Sequence, residues 1–242
     1  MRRRRKPGWV PNQHGAWAML ISPFLVGVIA GGPHWIHLSL AAFWILGYFA
    51  FFATSLWLKS GRRQQWLPPV RIYLLAASTT GAFVVFQDPG LVTWVPAFLL
   101  PLGVGLWAAA QRRERDLLVG ITTIMGASTM ALLTYQIGAG ELDTRAWQLA
   151  LVQFLYFTGT VFFVKSAIRE RNNPTFLRLS IGYHLAATFL TCWLSGWLGA
   201  LFLSLTLRAA LLPPLKPNPR TLGIMEIVAT LLVALISLVV IN

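Results

Sequence analysis

Lys59, Ser60 and Arg63 return as Lys165, Ser166 and Arg169 at a single offset of 106 residues, and Pro68 returns with them as Pro174. Each copy follows a long apolar run and precedes another. Each has a further arginine a few residues past its proline, Arg71 and Arg178. Such a set suits a phosphate, a diphosphate or a carboxylate. Arginine offers a planar fork of donors to two oxygens, and lysine offers a compact point charge. Apart from Glu170 the set holds no carboxylate, so it is unsuited to metal binding, and neither a metal nor a cofactor is expected. Taken singly, each of these cations is explained by membrane topology and by snorkelling to lipid phosphates. The repetition raises them above that. Four identities in register with matching flanks point to a duplication, in which two equivalent Lys-Ser pairs would face one another across a pseudo-twofold axis.

Other residues carry weaker signals. His14 stands beside Gly15, where a missing side chain allows a ligand or backbone to approach closely, so His14 joins the candidate ligand-binding set. Asn12 reads as a helix cap. The run Gln111–Asp116 reads as a solvated loop. Arg208 and Glu226 fall inside apolar runs, where charges pair or line a cavity, and a structural ion pair between them is the first expectation. Gln136, Gln153, Tyr156, Tyr183 and His184 are mid-run polar groups suited to hydrogen bonds between helices, and His184 alone titrates near neutral pH. No phosphate-binding glycine loop, paired cysteines or nucleophile elbow is present.

The elements that must position these residues follow from composition. The chain has 242 residues, 56% of them hydrophobic and only 11% charged, and its mean hydropathy is +0.64. That is too little charge to cover a water-facing globule. Apolar runs of bilayer-spanning length recur from end to end. The predicted fold is all-α, a polytopic transmembrane bundle of nine spans at about 15–31, 36–58, 70–86, 91–110, 117–138, 146–164, 175–195, 197–213 and 222–241, forming a single domain over 1–242. The repeat units are roughly 36–110 and 146–213, and both cross the membrane the same way, as a parallel repeat.

Charge then orients the chain. With the N-terminus inside, eighteen of the twenty Lys and Arg residues fall in inner segments, including Arg2–Lys6 at the start. Outside, Arg145 stands alone against Asp88, Glu141 and Asp143. This predicts a multi-pass protein of the bacterial inner membrane with a cytoplasmic N-terminus and an external C-terminus. The basic start resembles a signal peptide, but the run after it is long and eight more follow, so an uncleaved first span is expected. Trp35, Trp94, Trp147 and Trp197 mark outer span ends and Trp9 and Trp66 inner ones. A net charge of +13 distributed in this way is topology signalling, and no nucleic-acid partner is expected. The single Cys192 forms no internal disulfide. Membrane lipids are the expected partners, and the oligomeric state is left open.

The opening Pro11-Asn12-Gln13-His14-Gly15-Ala16-Trp17-Ala18, the stretch Ser22-Pro23-Phe24-Leu25-Val26-Gly27 and the loop Leu58-Lys59-Ser60-Gly61-Arg62-Arg63 resemble the YwiC-like family of bacterial membrane proteins over essentially the whole chain. This resemblance implies a class rather than an activity. Nine spans, an internal repeat and polar motifs after spans two and six also resemble the UbiA superfamily of intramembrane prenyltransferases. Ser22–Gly27 is similar to that superfamily's first helix. In those enzymes the two loops carry Asp-rich motifs that hold magnesium and an isoprenoid diphosphate. Here Lys59-Ser60-Gly61-Arg62-Arg63 and Lys165-Ser166-Ala167-Ile168-Arg169 stand in their place. The metal site and the catalysis therefore do not carry over. The resemblance implies a cavity in the same location with its charge inverted.

Three functions fit these residues. The first is a basic cytoplasm-facing cavity that binds an anionic amphiphile, a prenyl diphosphate or lipid phosphate, extending to a divergent, metal-independent UbiA-like prenyltransferase. The second is a transporter of a small anion or lipid, in which Pro96 and Pro101 would break one helix. The third is a non-catalytic scaffold whose basic loops dock an acidic partner or anionic lipid.

Overall fold

The computed structural model describes residues 8–11 and 14–241. Among these it shows nine α-helices and no strand. They are α1 (His14–Gly31), α2 (Ile36–Lys59), α3 (Leu67–Gln87), α4 (Val95–Ala110), α5 (Leu117–Ala139), α6 (Thr144–Ile168), α7 (Pro174–Leu194), α8 (Gly196–Leu211) and α9 (Pro219–Val240). Each coincides with an expected span to within a few residues. Seven segments are long and apolar enough to cross a bilayer: Ile36–Lys59, Gln64–Gln87, Pro89–Ala110, Leu117–Ala139, Thr144–Ile168, Gly196–Leu215 and Pro219–Val240. α1 supplies a shorter apolar stretch, Gly15–Gly31. α7 is less apolar but turns Leu179, Leu185, Phe189 and Trp193 outward. Large side chains left exposed on this scale need an apolar surrounding, since a soluble surface tolerates only small patches of them. The chain is an all-α, multi-pass membrane protein.

The helices start and stop where local chemistry dictates. Asp143, Asn173 and Asn218 cap α6, α7 and α9 by accepting from the backbone N–H of Ala146, Phe176 and Arg220. Pro174 and Pro219 follow at the first helical position, where no N–H is missed. The Asn12 cap and the basic stretch Arg2–Lys6 lie outside the described residues.

The chain forms two compact units. The first comprises 1–13 and 33–126, and the second 14–32 and 127–242. In the first, α2 and α3 form an antiparallel hairpin with α4 against α2. Ser39 and Gln87 meet at one end of this hairpin, and Lys59 lies at the other. In the second unit, α6, α7 and α8 follow one another as antiparallel neighbours, and α9 lies against α1, α6 and α8. The ends of α1 and α9 meet the start of α6, where Arg145 donates to the carbonyl oxygens of Ala30 and Ile241. The opposite end of this unit gathers Lys165, Arg169, Arg171, Arg178, Lys216 and Arg220.

α1 packs on the second half of α5 through glycine. A Cβ at Gly27 would strike the Ala131 carbonyl and the Thr134 hydroxyl, and one at Gly31 would strike the backbone of Tyr135. Thr134 in turn donates to the Phe24 carbonyl at 3.2 Å. Small residues four apart let two membrane helices approach at backbone distance.

Candidate functional site

The two Lys-Ser motifs start from the same local geometry and then diverge. Ser60 donates to the Trp57 carbonyl at 2.7 Å, and Ser166 donates to the Phe163 carbonyl at 2.8 Å. In the first unit α2 then stops. Gly61 takes φ of +75°, its N–H reaches the Leu58 carbonyl, and the Arg62 N–H reaches Trp57. This is a Schellman closure, which a residue without Cβ makes easy. In the second unit Ala167 stands where Gly61 stands in the first, and α6 runs on to Ile168. Lys165 and Ser166, expected in a loop, are therefore helical.

The surroundings diverge as well. Lys59 is exposed and forms an ion pair with Glu114 at 2.9 Å. Arg112, itself at φ of +57°, donates to the Lys59 carbonyl at 3.3 Å, so the end of α4 is latched to the end of α2. Arg62 lies over the Trp57 ring. Arg63 and Arg71 are exposed, and neither has an ion pair among the described residues. In the second unit, Lys165 lies over the Phe176 ring at 5.8 Å. Ser166 is buried, with its O–H committed to its own helix. Arg169, Arg171 and Arg178 are exposed. Glu170, the one carboxylate of this loop, accepts from Asn173 at 3.0 Å and pairs with none of the arginines. Residues 168–173 line a surface hollow. His14 is the first residue of α1, and its side chain lies outside the described set.

The expected Arg208–Glu226 ion pair is present, with Arg208 Nη1 at 2.5 Å from Glu226 Oε1. It carries more than a pair. Thr160 and Tyr156 on α6 donate to Glu226 Oε2 at 2.7 and 3.1 Å, and Tyr156 also meets the Thr230 hydroxyl at 2.9 Å. The Arg208 guanidinium stacks over Phe163, 4.2 Å from the ring centroid. Three of the mid-run polar residues, Gln153, Tyr156 and Tyr183, hydrogen-bond between helices. Gln153 accepts from Ser22 of α1, and Tyr183 donates to the Leu155 carbonyl. His184 instead has Nδ1 2.7 Å from the Ser180 carbonyl of its own helix. Thr160 and the Gly27/Gly31 contact were missed from sequence, although both spacings stood in plain view. Tyr156 and Thr160 are four apart, on one helix face, as are the two glycines.

At the other end of the second unit, the Asp143 carboxyl is held below its ordinary value. The Ala146 N–H contributes most, and the Tyr135 O–H adds to it at 2.7 Å. Among the described residues, no group of three or more His, Cys, Asp or Glu is placed to hold a metal ion.

Comparison with known proteins places the chain. The YwiC-like protein family model matches residues 10–135. A Bacillus subtilis (strain 168) protein described as uncharacterized protein YwiC is 36% identical over 90% of this chain and 92% of its own length. An uncharacterized protein of Haemophilus influenzae (strain Rd) is 26% identical over 95% of this chain and 97% of its own length. No solved structure matches. With the opening motif, the helical architecture and these relatives in agreement, the chain belongs to the YwiC-like family of multi-pass membrane proteins.

Proposed function

We propose that the basic helix ends of this protein bind the phosphate or diphosphate head of an anionic membrane amphiphile, a prenyl diphosphate or a lipid phosphate. The observation that carries this reading is the uncompensated charge at the α6–α7 connection. Arg169, Arg171 and Arg178 are exposed, and none has an ion pair among the described residues. Lys165 stands one turn back on α6. A head group at the membrane surface would meet guanidinium forks there, while its tail would lie along the apolar helices. Arg63 and Arg71 offer a comparable surface at the equivalent connection of the other repeat. Ser60 and Ser166 already donate to their own helices, so the cations carry the binding. Net positive charge on these connections also supports a cytoplasmic face and a bacterial inner-membrane location. Transfer of the prenyl chain by a metal-independent UbiA-like reaction is the furthest extension of this reading.

The test is thermal unfolding of the purified chain in nanodiscs. Neutral-lipid discs receive farnesyl diphosphate with and without magnesium, and a second set contains phosphatidic acid. A ligand at one hundred times its Kd stabilises the folded state by about 2.7 kcal/mol. The expected result is a metal-independent shift that falls away in Arg169→Ala/Arg178→Ala and in Lys59→Ala/Lys165→Ala. A response to phosphatidic acid alone assigns the surface to bulk lipid. No response in either set overturns the proposal and favours the transport and scaffold alternatives.

A further inference from the structure

Within the second unit, three donors from two helices converge on one carboxylate. Arg208 of α8 takes Oε1 of Glu226, and Thr160 and Tyr156 of α6 take Oε2. The α9 carboxylate thus sits as a ligand in a receptor built by α6 and α8. A guanidinium with two hydroxyls is a donor set for an oxyanion, the fork meeting oxygens in its plane and the hydroxyls meeting the remaining lone pairs. Phe163 backs the guanidinium and fixes its plane.

This receptor is not filled by its resident ligand. Arg208 Nε is buried and has no hydrogen-bond partner, although the side chain is only 9% exposed. A guanidinium edge out of water and unbonded is costly, and folded proteins seldom leave one open without a use. Glu226 is engaged through Nη1 alone, so the Nε edge remains for an oxygen of a second anion.

Charge balance sets the condition for that anion to enter. α1, α6 and α8 pack against α9. α1 brings no charged residue over 15–31, α6 brings Tyr156 and Thr160, and α8 brings Arg208. His184 of α7 lies within electrostatic reach of Arg208. The buried cluster Phe163, Ala167, Ala209 and Leu222 stands between this site and the basic connection. Arg208 and Glu226 balance one another, and the Glu226 charge is what a second anion must compete with.

We propose that Arg208, Tyr156 and Thr160 form a binding site for a small carboxylate, with Glu226 as its internal stand-in. A carboxylate is the chemistry this donor set already holds. The inference is independent of the reading of the basic loops.

The probe is acetate, tested on the full chain in neutral-lipid nanodiscs against chloride at equal ionic strength, by unfolding midpoint. Acetate is expected to stabilise the wild type more than chloride does. Glu226→Gln keeps the shape without the charge. It is expected to bind acetate on the order of tenfold more tightly than the wild type, about 1.4 kcal/mol. Arg208→Met/Glu226→Gln should lose the response, whereas Arg169→Ala/Arg178→Ala should retain it. A folded Glu226→Gln protein that treats acetate like chloride overturns the proposal, as does an acetate response that survives without Arg208. Should Glu226→Gln fail to fold, the wild-type comparison decides alone, and equal responses to acetate and chloride overturn it.

Discussion

Removing both Arg208 and Glu226 should cost less than removing either alone. Glu226 accepts one guanidinium contact and two hydroxyl contacts, with its side chain 14% exposed. Breaking a buried pair from one side typically costs about 3–5 kcal/mol, because the remaining charge is stranded. The slight exposure of Glu226 and its two hydroxyl donors place Arg208→Met near the lower end, at about 3 kcal/mol. Glu226→Met strands the guanidinium in turn, beside the Phe163 ring, and should cost at least as much. Arg208→Met/Glu226→Met leaves no charge in the site and should lie within about 1 kcal/mol of the wild type or above it. The assay is reversible unfolding of the purified protein in mixed micelles with increasing dodecyl sulfate, run as a double-mutant cycle. An additive cycle, or a double variant no more stable than the singles, would refute the account of this pair as a mutually neutralising charge in an apolar surrounding.

Three further outcomes follow from other contacts. Gly27→Ala and Gly31→Ala should each cost about 1–3 kcal/mol in the same unfolding assay, because the added methyl meets α5 backbone that has no rotamer to yield. Gly223→Ala, with open space around it, should be neutral or slightly stabilising, and equal losses at all three positions would sink the α1–α5 contact. Asp143→Ala should cost about 1 kcal/mol at neutral pH through loss of the α6 cap. The Asp143 carboxyl is depressed in the folded state, so its contribution is present above the unfolded carboxylate pKa of about 3.9 and disappears as pH falls through the folded value. The wild-type and Asp143→Ala curves should therefore converge in acid, and a gap that stays constant with pH would contradict the assignment. Lys59→Ala should change stability by less than about 1 kcal/mol, since Lys59 is exposed and Glu114 only half-buried, which leaves their pair open to solvent. Any larger loss of ligand response in that variant then reports binding rather than folding.

The helix boundaries were legible because the bilayer imposes them. Apolar runs of fixed length, separated by basic clusters and by Asn-Pro starts, leave little freedom to the reading of α2 through α9. The extra turn of α6 was not anticipated because the repeat invited Lys165-Ser166 to be read as a copy of Lys59-Ser60. The deciding difference lies one residue on, where Gly61 adopts a left-handed turn that Ala167 does not. The Arg208–Glu226 pair was legible because two charges in neighbouring apolar runs have few other places to go. Their hydroxyl partners were not, since a threonine in a membrane helix ordinarily bonds back to the carbonyl four residues earlier on its own helix, as Thr122 and Thr191 do here.

The polar stripe that matters most in the structure runs along α6. Leu149, Gln153, Tyr156, Phe163 and Ala167 recur at intervals of three, four or seven and are all buried, and Thr160 completes the stripe. A lipid-facing helix gains nothing from Gln and Tyr on one face, because each leaves a polar group that hydrocarbon cannot satisfy. Such a stripe must turn inward, and it must meet partners. It meets Ser22 from α1 at Gln153, Glu226 and Thr230 from α9 at Tyr156, and Arg208 from α8 at Phe163. The basic motif at the end of α6 drew notice because it repeats, yet exposed cations beside a membrane are common. Polar groups drawn inward along a single face are costly to keep, and in this protein they converge on one carboxylate and one open guanidinium edge.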